Sequence, residues 1–332
     1  MIISQTPYRV SFAGGGTDLP AFYEHEEGAV LSMALDKHMY VTVSPRFDAS
    51  TRVAYTRTEI VENASTLSHT IVREALKLVG LGPHLEITTV GDVPAGTGLG
   101  SSSSLTVGLL NALYAYVGRI TSHDKLAEEA CHIEMDLLSK PIGRQDQYAA
   151  AFGGVNYIRF HPGGIVDVEP VPCTGDTLGE LTRWTLLAYT GKQREADDIL
   201  VQQSSGTSEK MATLRAMRDL AHELRATLTG TPDLEQFGQL LHTGWELKRS
   251  LGFGITTSQV DEMYAAARSA GAIGGKLLGA GGGGFILLLA PPEKHSAIRE
   301  ALGHPVELDF GVDRRGSRLV FVSDHQRLVR SE

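Results

Sequence analysis

The chain has 332 residues, of which 42% are hydrophobic and 21% are charged, as is usual for a globular protein of one large or two ordinary domains. Its formal net charge of -9 and the absence of a dense Lys/Arg cluster argue against nucleic acid and anionic membranes as partners. The longest apolar run, Phe285–Ala290, is far shorter than the ~20 residues of a membrane span, and the isolated cysteines Cys131 and Cys173 favour a reducing, cytoplasmic setting.

The first third of the chain is predicted to be rich in strands. A glycine run, AGGGTD (Ala13–Asp18), interrupts the pattern early, with Arg9 before it and Asp18 at its end. Both residues could have a functional role. An ordinary surface position for Arg9 and a helix N-cap for Asp18 are equal alternatives. The expected elements are strand Ile2–Ala13, strands Ala29–Leu35 and Met39–Ser44, helix Leu67–Val79, and strand His84–Val90.

The stretch Pro94–Ser104 reads PAGTGLGSSSS and lies between a predicted strand and a predicted helix that continues to Tyr116. Its glycines keep side chains away, so backbone amides can approach an anion, and the N-terminus of the helix favours negative charge. A flexible Gly/Ser loop would fit the composition, but the strand and helix directly on either side favour a phosphate site. The stretch lacks the Lys-Ser/Thr ending of the GxxxxGK[ST] phosphate loop.

Two carboxylates further along are candidates for phosphoryl-transfer chemistry. Apolar spacing predicts a helix over Ser122–Leu138, with Glu134 at the edge of its buried face. Asp146 follows in GRQDQYAAAFGG (Gly143–Gly154). Surface exposure of Glu134 and helix capping by Asp146 are the alternatives. In the functional interpretation, one acid holds Mg²⁺ and the other lies near an attacking hydroxyl.

The second half of the chain is predicted to combine short strands with long helices. A Gly/Pro-rich, less ordered stretch, PVPCTGDTLGE, separates the halves, and we expect domains over residues 1–178 and 179–332. The expected elements are strands Val155–Phe160, Ile165–Val171 and Trp184–Tyr189, helices Glu195 to about Leu228, Leu234–Leu251 and Ser258–Ser269, glycine run Gly274–Phe285, strand Phe285–Ala290, a helix from Glu293, and a strand SRLVFVS.

Three glycine-rich stretches in this order resemble the GHMP kinase superfamily, which includes galactokinase, homoserine kinase, mevalonate kinase and phosphomevalonate kinase. The motifs that carry the resemblance are TPYRVSFAGGGTD, PAGTGLGSSSS and KLLGAGGGGF. AGGGTD combined with QDQYAAAFGG is similar to the bacterial D-glycero-D-manno-heptose 7-phosphate kinase subgroup. The resemblance implies a two-domain α+β fold, with an N-terminal domain like the second domain of ribosomal protein S5, a ferredoxin-like C-terminal domain, and ATP between them.

The resemblance also implies roles for individual residues. Asp146 would contact the attacking hydroxyl with Arg9 beside it, and Ser102 with Glu134 would bind Mg²⁺. The ATP site would comprise Pro94, Gly96, Gly98, Leu99, Gly100, Ser101, Ser102 and Ser103, and the acceptor site would include Gly15, Gly16, Thr17, Asp18, Gly281 and Gly282.

The acceptor is expected to differ from galactose. Gly15 and Gly16 stand where galactokinases have a Glu and a His that bind sugar hydroxyls, so the site has room for a larger acceptor. A phosphate on that acceptor would need basic partners, for which Arg144, Lys192 and Arg194 are the candidates. For Lys192 and Arg194, solvated charge at the start of a helix is an equal alternative.

We therefore expect an ATP- and Mg²⁺-dependent kinase for a small-molecule sugar phosphate, with heptose 7-phosphate converted to the 1,7-bisphosphate as the leading hypothesis. A free hexose, an isoprenoid precursor or homoserine are alternative acceptors, and an inactive metabolite-binding module is a further alternative. The joint presence of Arg9, Ser102, Glu134 and Asp146 argues against inactivity. The sequence leaves open whether Asp146 is a true general base and whether the protein is a monomer or a homodimer.

Overall fold

Two long antiparallel strands begin the chain, in a computed structural model that describes residues 1–193, 207–252 and 254–323. The strands are β1 Ile2–Ala13, β2 Gly28–Pro45, β3 Thr51–Ala54, β4 Thr58–Val61, β5 Leu85–Gly91, β6 Val155–Phe160, β7 Val166–Pro170, β8 Thr185–Tyr189, β9 Gly274–Leu277, β10 Phe285–Leu289 and β11 Arg318–Val322.

The helices lie mainly between β5 and β6 and between β8 and β9. They are α1 Pro20–Tyr23, α2 Thr70–Val79, α3 Ser101–Tyr116, α4 His123–Cys131, α5 Gln145–Phe152, α6 Gly175–Trp184, α7 Thr207–Leu228, α8 Leu234–Ser250, α9 Ser258–Ser269 and α10 His295–Ala301. A π-helical turn, His132–Leu137, follows α4, and short 3₁₀ turns occur at Ala64–Thr66, Pro162–Gly164 and Pro292–Lys294. None of these helices combines the length and the apolar character that a membrane span requires, within the residues described.

The larger sheet has eight strands and is organised by β2. The first part of β2 pairs with β6 and its last part with β5, while β1 runs along its other side. The strand order is β11-β1-β2-β5-β3-β4, with β7 beyond β6, and among the described strands of this sheet only the β3–β5 pair is parallel. The last described strand, β11, therefore returns to the sheet formed by the first part of the chain.

A second, three-stranded sheet has the antiparallel order β8-β10-β9. Residues 306–308 extend it at the β8 edge, because the Tyr189 amide donates to the Val306 carbonyl at 2.8 Å and the Leu308 amide donates to the Leu187 carbonyl at 2.9 Å. Along the chain, β8, helices α7–α9, β9, β10, α10 and residues 306–308 follow the strand-helix-strand-strand-helix-strand order of the expected ferredoxin-like domain. The two-domain α+β fold is confirmed, whereas the division of the chain at residue 178 stays a prediction.

Apolar side chains join the two sheets through the helices. One core packs α2–α5 against the first sheet, and a second packs the opposite side of β1 against α7, α8 and β10. In the second core, the rings of Phe12 and Phe237 meet edge to face with centroids 5.1 Å apart. This packing places the loops at the ends of β1, β5 and β9 beside one another.

Several elements match the sequence-based predictions and others correct them. Strands β1 and β6 and helix α9 have the predicted bounds. The expected separate strands Ala29–Leu35 and Met39–Ser44 are one strand, because Asp36 keeps its amide hydrogen bonded to the Gly311 carbonyl, at 3.0 Å, across the polar interruption. The short strands β3 and β4 were not predicted.

Two helices also differ from prediction. The PVPCTGDTLGE stretch is not less ordered throughout: α6 begins at Gly175, where the Thr174 hydroxyl accepts the Thr177 amide and two leucines, Leu178 and Leu181, pack inward. The helix expected from Ser122 to Leu138 is α-helical only to Cys131. The start of the helix predicted from Glu195 lies outside the described residues, which resume at α7.

Candidate active site

The glycine loop before α3 packs against the loop between β9 and β10. The Phe285 amide donates to the Thr97 carbonyl at 3.1 Å, and a Cβ on Gly98 would lie 2.5 Å from the carbonyl oxygen of Leu278. Gly98 and Gly100 have φ values of +82° and +77°, which L side chains rarely adopt. The sequence therefore needs glycine here, both for the backbone conformation and for the close approach of the two loops.

Helix α3 begins directly after this loop, with Gly100 at its N-cap and no side-chain cap from the described residues. Ser101, Ser102 and Ser103 form its first turn and line a cavity. The first amides of a helix lack acceptors within the helix and carry the positive end of its dipole, so an anion is stabilised there. The predicted phosphate loop thus has the geometry of an anion site.

Glu134 lies in the π-helical turn and is completely buried, with 0% of its surface exposed. Its carboxylate accepts hydrogen bonds from Ser102 Oγ at 2.5 Å, Ser103 Oγ at 2.8 Å and Gln147 Nε2 at 2.9 Å. The surface-exposed alternative for Glu134 is therefore wrong. A π turn changes the direction in which side chains leave a helix, and such turns are frequent at functional sites.

Lys140 supplies the positive charge beside this buried carboxylate. Its ammonium donates to Ser102 Oγ at 2.8 Å and to Glu134 Oε1 at 3.2 Å. Sequence reasoning gave Lys140 no role, although it follows Glu134 by less than two helical turns in the chain. The contact explains how this carboxyl group can lie so deep, since buried polar groups need a partner and hydrogen bonds.

Arg9 and Asp146 form a two-pronged ion pair next to the glycine loop. Arg9 Nε donates to Asp146 Oδ1 and Arg9 Nη2 to Asp146 Oδ2, both at 2.6 Å, while Arg9 Nη1 donates to the Gly98 carbonyl at 2.7 Å. Asp146 lies in the first turn of α5 and its side chain is 23% exposed. Because both oxygens are held by a planar fork, the carboxylate is fixed at the cavity wall but not sealed from the cavity.

Asp18 lies on the same cavity and is buried. The Gly16 amide donates to its Oδ1 at 2.8 Å, and the side-chain amide of Gln145 donates to its Oδ2 at 2.9 Å. Burial raises the pKa of Asp18, and these hydrogen bonds oppose the increase. A Cβ on Gly143 would lie 1.9 Å from Asp18 Oδ2, so the residue beside this carboxylate must be glycine.

The cavity has a volume of about 510 Å³ and is continuous past the Arg9–Asp146 pair. We call its two parts the loop end and the Asp18 end. The loop end is lined by Gly96, Gly98, Gly100, Ser101, Ser102, Ser103, Glu134 and Lys140, with Met39, His69 and Ile71 nearby, and the Asp18 end by Ser11, Gly15, Gly16, Asp18, Gln145, Lys248 and Lys276. The structure therefore brings together the predicted carboxylates, Arg9 and the first two glycine runs.

Two buried lysines lie at the Asp18 end, and sequence reasoning gave them no role. Lys248 on α8 is 7% exposed and Lys276 on β9 is 6% exposed. Burial lowers the pKa of Lys248 to about 8 and holds the pKa of Lys276 well below its usual value. The nearby Arg9 charge lowers both pKa values further, whereas Asp18 raises them.

Some predicted residues support the loops without lining the cavity. Pro94 is exposed, Leu99 is buried in the second core, and the Thr17 hydroxyl donates to the Gly14 carbonyl at 2.7 Å. In the third glycine run, Gly279 and Ala280 line the cavity. Gly281 and Gly282 instead pack on the backbone of Ile255, whose carbonyl accepts the Gly282 amide at 3.1 Å.

Of the three basic residues predicted to bind a substrate phosphate, Arg144 and Lys192 lie in the described part of the chain, and neither lines the cavity. The Arg144 guanidinium lies over the Tyr23 ring, 5.3 Å from its centroid, and Arg144 Nη1 donates to the Gly164 carbonyl at 2.6 Å. Lys192 is exposed. Arg194 lies outside the described residues, and the phosphate-binding role of all three stays a prediction.

The donor groups at the loop end fit a magnesium ion. A Ser102 hydroxyl and a Glu134 carboxylate are hard oxygen ligands, and a metal bound to both would displace the Lys140 ammonium that now donates to them. Within residues 1–193, 207–252 and 254–323, no group of three or more His, Cys, Asp or Glu side chains could hold a metal alone. An ion here would therefore take its other ligands from phosphate oxygens and water.

The close packing at Gly98 gives a testable stability effect. We expect Gly98→Ala to lower the free energy of unfolding by about 1–2 kcal/mol through its positive φ and by about 1–3 kcal/mol more through overpacking against Leu278. Gly118→Ala is the matched control, because Gly118 has a φ of +77° but a Cβ added there would have nothing within 4 Å. Urea denaturation measures both, and equal losses would contradict close packing of the two loops.

Comparison with known proteins agrees with this geometry. The description "GHMP kinases N terminal domain" matches residues 57–154, and "GHMP kinases C terminal" matches residues 215–307. The chain is 29% identical over 327 residues to the D-glycero-alpha-D-manno-heptose 7-phosphate kinase of Campylobacter jejuni, covering 93% of this chain and 96% of the relative.

A second relative and a solved structure extend the comparison. The chain is 30% identical over 263 residues to the mevalonate kinase of Methanothermobacter thermautotrophicus, covering 76% of this chain and 80% of the relative. The crystal structure of a D-glycero-D-manno-heptose 1-phosphate kinase from Bacteroides thetaiotaomicron has the same fold, with a TM-score of 0.80 at 24% identity, covering 98% of this chain and 100% of that one. The two matched family domains, the nearly full-length heptose kinase relative and the 30% identical mevalonate kinase show that the chain belongs to the GHMP kinase family.

Proposed function

We propose that this protein transfers the γ-phosphoryl group of ATP to a hydroxyl of a sugar phosphate, with D-glycero-D-manno-heptose 7-phosphate as acceptor and the 1,7-bisphosphate as product. The observation that carries the proposal is the single cavity, in which an anion-binding helix end and an acceptor pocket meet at the Arg9–Asp146 pair. The relative of nearly equal length named as a heptose 7-phosphate kinase supports the choice of acceptor.

The loop end is suited to the phosphate donor. The triphosphate of ATP would lie against the amides of the glycine loop and the first turn of α3, and Ser102 with Glu134 would hold Mg²⁺. When bound there, Mg²⁺ would neutralise charge on the phosphates. Lys140 provides a further cation at the same place. The protein and the metal would thus both supply local positive charge for the phosphates in a chain whose net charge is negative.

The Arg9–Asp146 pair is suited to the transfer step. Asp146 would accept a hydrogen bond from the acceptor hydroxyl and orient its oxygen toward the γ-phosphorus. Arg9, held by Asp146 and the Gly98 carbonyl, would place a fixed positive charge beside the group that is transferred. Neither side chain needs to move far, because the ion pair and the loop already hold both in place.

The Asp18 end is suited to a polyhydroxylated acceptor. Ser11 Oγ and Gln145 Oε1 are buried polar atoms without a hydrogen-bond partner among the described residues, and both residues line the cavity. Buried polar atoms are normally paired, so hydroxyl groups of a sugar would satisfy them. Gly15 and Gly16 add space because they carry no side chains.

A cytoplasmic, reducing location is part of the proposal. Cys131 and Cys173 are both free, and burial raises the pKa of each thiol, which keeps them protonated and unreactive.

An acceptor panel tests the proposed function. We expect kcat/KM for heptose 7-phosphate, measured by coupled ADP release, to exceed that for free heptose, galactose, mevalonate and homoserine by at least about 100-fold, because a site built to bind polar groups rejects analogues that lack them. Activity on an unphosphorylated acceptor but not on heptose 7-phosphate would overturn the proposal. Nucleotide binding without ADP release across the panel would favour an inactive binding module.

A further inference from the structure

The charges around the cavity are balanced at one end and unbalanced at the other. At the loop end and in the middle, Lys140 pairs with Glu134 and Arg9 pairs with Asp146. At the Asp18 end, neither Lys248 nor Lys276 has a carboxylate within 4.0 Å among the described residues. The Asp18 end thus has two ammonium groups and one carboxylate.

The partners of these two lysines are main-chain carbonyls. Lys248 Nζ donates to the carbonyls of Gly279, at 2.5 Å, and Leu277, at 3.5 Å. Lys276 Nζ donates to the carbonyl of Phe12 at 3.1 Å. Each ammonium has three N–H donors, so both retain donors for a ligand, and both residues line the cavity.

Burial of an unbalanced cation is unfavourable, and burial lowers the pKa of both Lys248 and Lys276. A dianionic group between the two ammoniums would restore their charge balance and use their unused donors. These two lysines come from different elements, are more than nine-tenths buried and line one cavity, unlike lysines of a solvated surface patch.

Lys276 is held by the first part of the chain, whereas Lys248 is held by Gly279, which packs on Gly98 of the glycine loop. Phe12, which fixes Lys276, directly precedes the glycine run that leads to Asp18. Asp18 and Arg9 both act electrostatically on the two lysines, which places these four groups in one neighbourhood. The loop end, in contrast, has its own cation in Lys140 and the N-terminus of α3.

We propose that Lys248 and Lys276 bind the phosphate monoester that the acceptor already carries. This inference rests on the proposed function and adds residues that select phosphorylated over unphosphorylated sugars. The two ammoniums donate to the phosphate oxygens, while Asp18, Gln145 and Ser11 contact the sugar hydroxyls.

The test compares heptose 7-phosphate with unphosphorylated heptose in Lys248→Met and Lys276→Met. Each variant is expected to lower kcat/KM for heptose 7-phosphate by about 10- to 100-fold, as for loss of a hydrogen bond to a charged group. The KM for ATP and kcat/KM for free heptose are expected to stay within about twofold. Calorimetric titration with each sugar is run in parallel, so the comparison does not depend on turnover of the poorer acceptor.

Lys125→Met is the control, because Lys125 is an exposed lysine on α4 outside the cavity. Lys248→Gln and Lys276→Gln, which keep a polar donor, replace either Met variant that lacks a cooperative thermal transition. Equal losses with both sugars, or a large rise in KM for ATP, would overturn the inference and assign the lysines to the donor phosphates. Wild-type protein without activity on heptose 7-phosphate would instead overturn the proposed function, and this inference with it.

Discussion

Asp146→Asn is expected to lower kcat by about 10²- to 10⁴-fold, the range typical for loss of a catalytic acid or base. Asparagine has the size of aspartate but lacks the anionic oxygen that would accept a hydrogen bond from the acceptor hydroxyl. It also removes the charge partner of Arg9, whose guanidinium is buried beside the glycine loop. ATP affinity, measured by titration calorimetry, is expected to stay nearly unchanged because Ser102 and Glu134 are intact.

Asp136→Asn is the matched control for this variant. Asp136 lies in the π-helical turn close to the site in sequence, but its side chain is 67% exposed and pairs with His132. Thermal unfolding of both variants separates a folding defect from a catalytic one. Turnover of Asp146→Asn within about tenfold of the wild type, below the range for a lost catalytic group, would remove Asp146 from the transfer step.

Glu134→Gln is expected to raise the Mg²⁺ concentration for half-maximal activity by at least about tenfold, since outer and inner ligands of a metal commonly contribute this much. Glutamine fills the same space, but its single carbonyl oxygen can replace only one of the two carboxylate oxygens to which Ser102 and Ser103 donate. It cannot supply a carboxylate to a hard cation, and it leaves the Lys140 ammonium without its charge partner. The measurement is a Mg²⁺ titration of initial rate at fixed ATP.

The control for this variant is Glu128→Gln, an exposed glutamate on α4. This variant makes the same replacement of a carboxylate by an amide, but at an exposed position, and it is expected to give the wild-type Mg²⁺ dependence. If Glu134→Gln also gives an unchanged titration curve, the metal is held by other residues, and the proposed pairing of Ser102 with Glu134 is wrong.

Local patterns predict the fold best where burial and periodicity agree. Strand β1 is buried over most of its length, and its predicted bounds are confirmed. Strand β2 contains a polar interruption, and only the neighbouring Gly311 backbone shows why it remains extended there. The π-helical turn at Glu134 is a further departure from the local pattern, because a helical wheel assumes 3.6 residues per turn throughout.

The site is predictable where chemistry lies in motifs and not where it depends on distant contacts. Asp146 and Ser102 lie in recognisable segments, and Gln145 and Gln147 directly flank Asp146 in the chain. Lys248 comes from a helix outside any motif, whereas Lys276 is the first residue of the third glycine motif, KLLGAGGGGF, whose glycines and not its lysine indicated a function. Only tertiary packing brings both lysines to one cavity, so the membership of Lys276 in that motif was the one available signal, and Lys248 had none.

Phosphorus NMR of the product is the sharpest test of the proposed reaction. The protein is incubated with Mg²⁺, ATP and D-glycero-D-manno-heptose 7-phosphate, and the sugar product is examined together with the ADP released. We expect one ADP per sugar consumed and a product with two phosphate monoesters, the new one coupled to the anomeric proton. No ADP above the acceptor-free background, or a new phosphate at another hydroxyl, would contradict the proposed transfer to the anomeric oxygen.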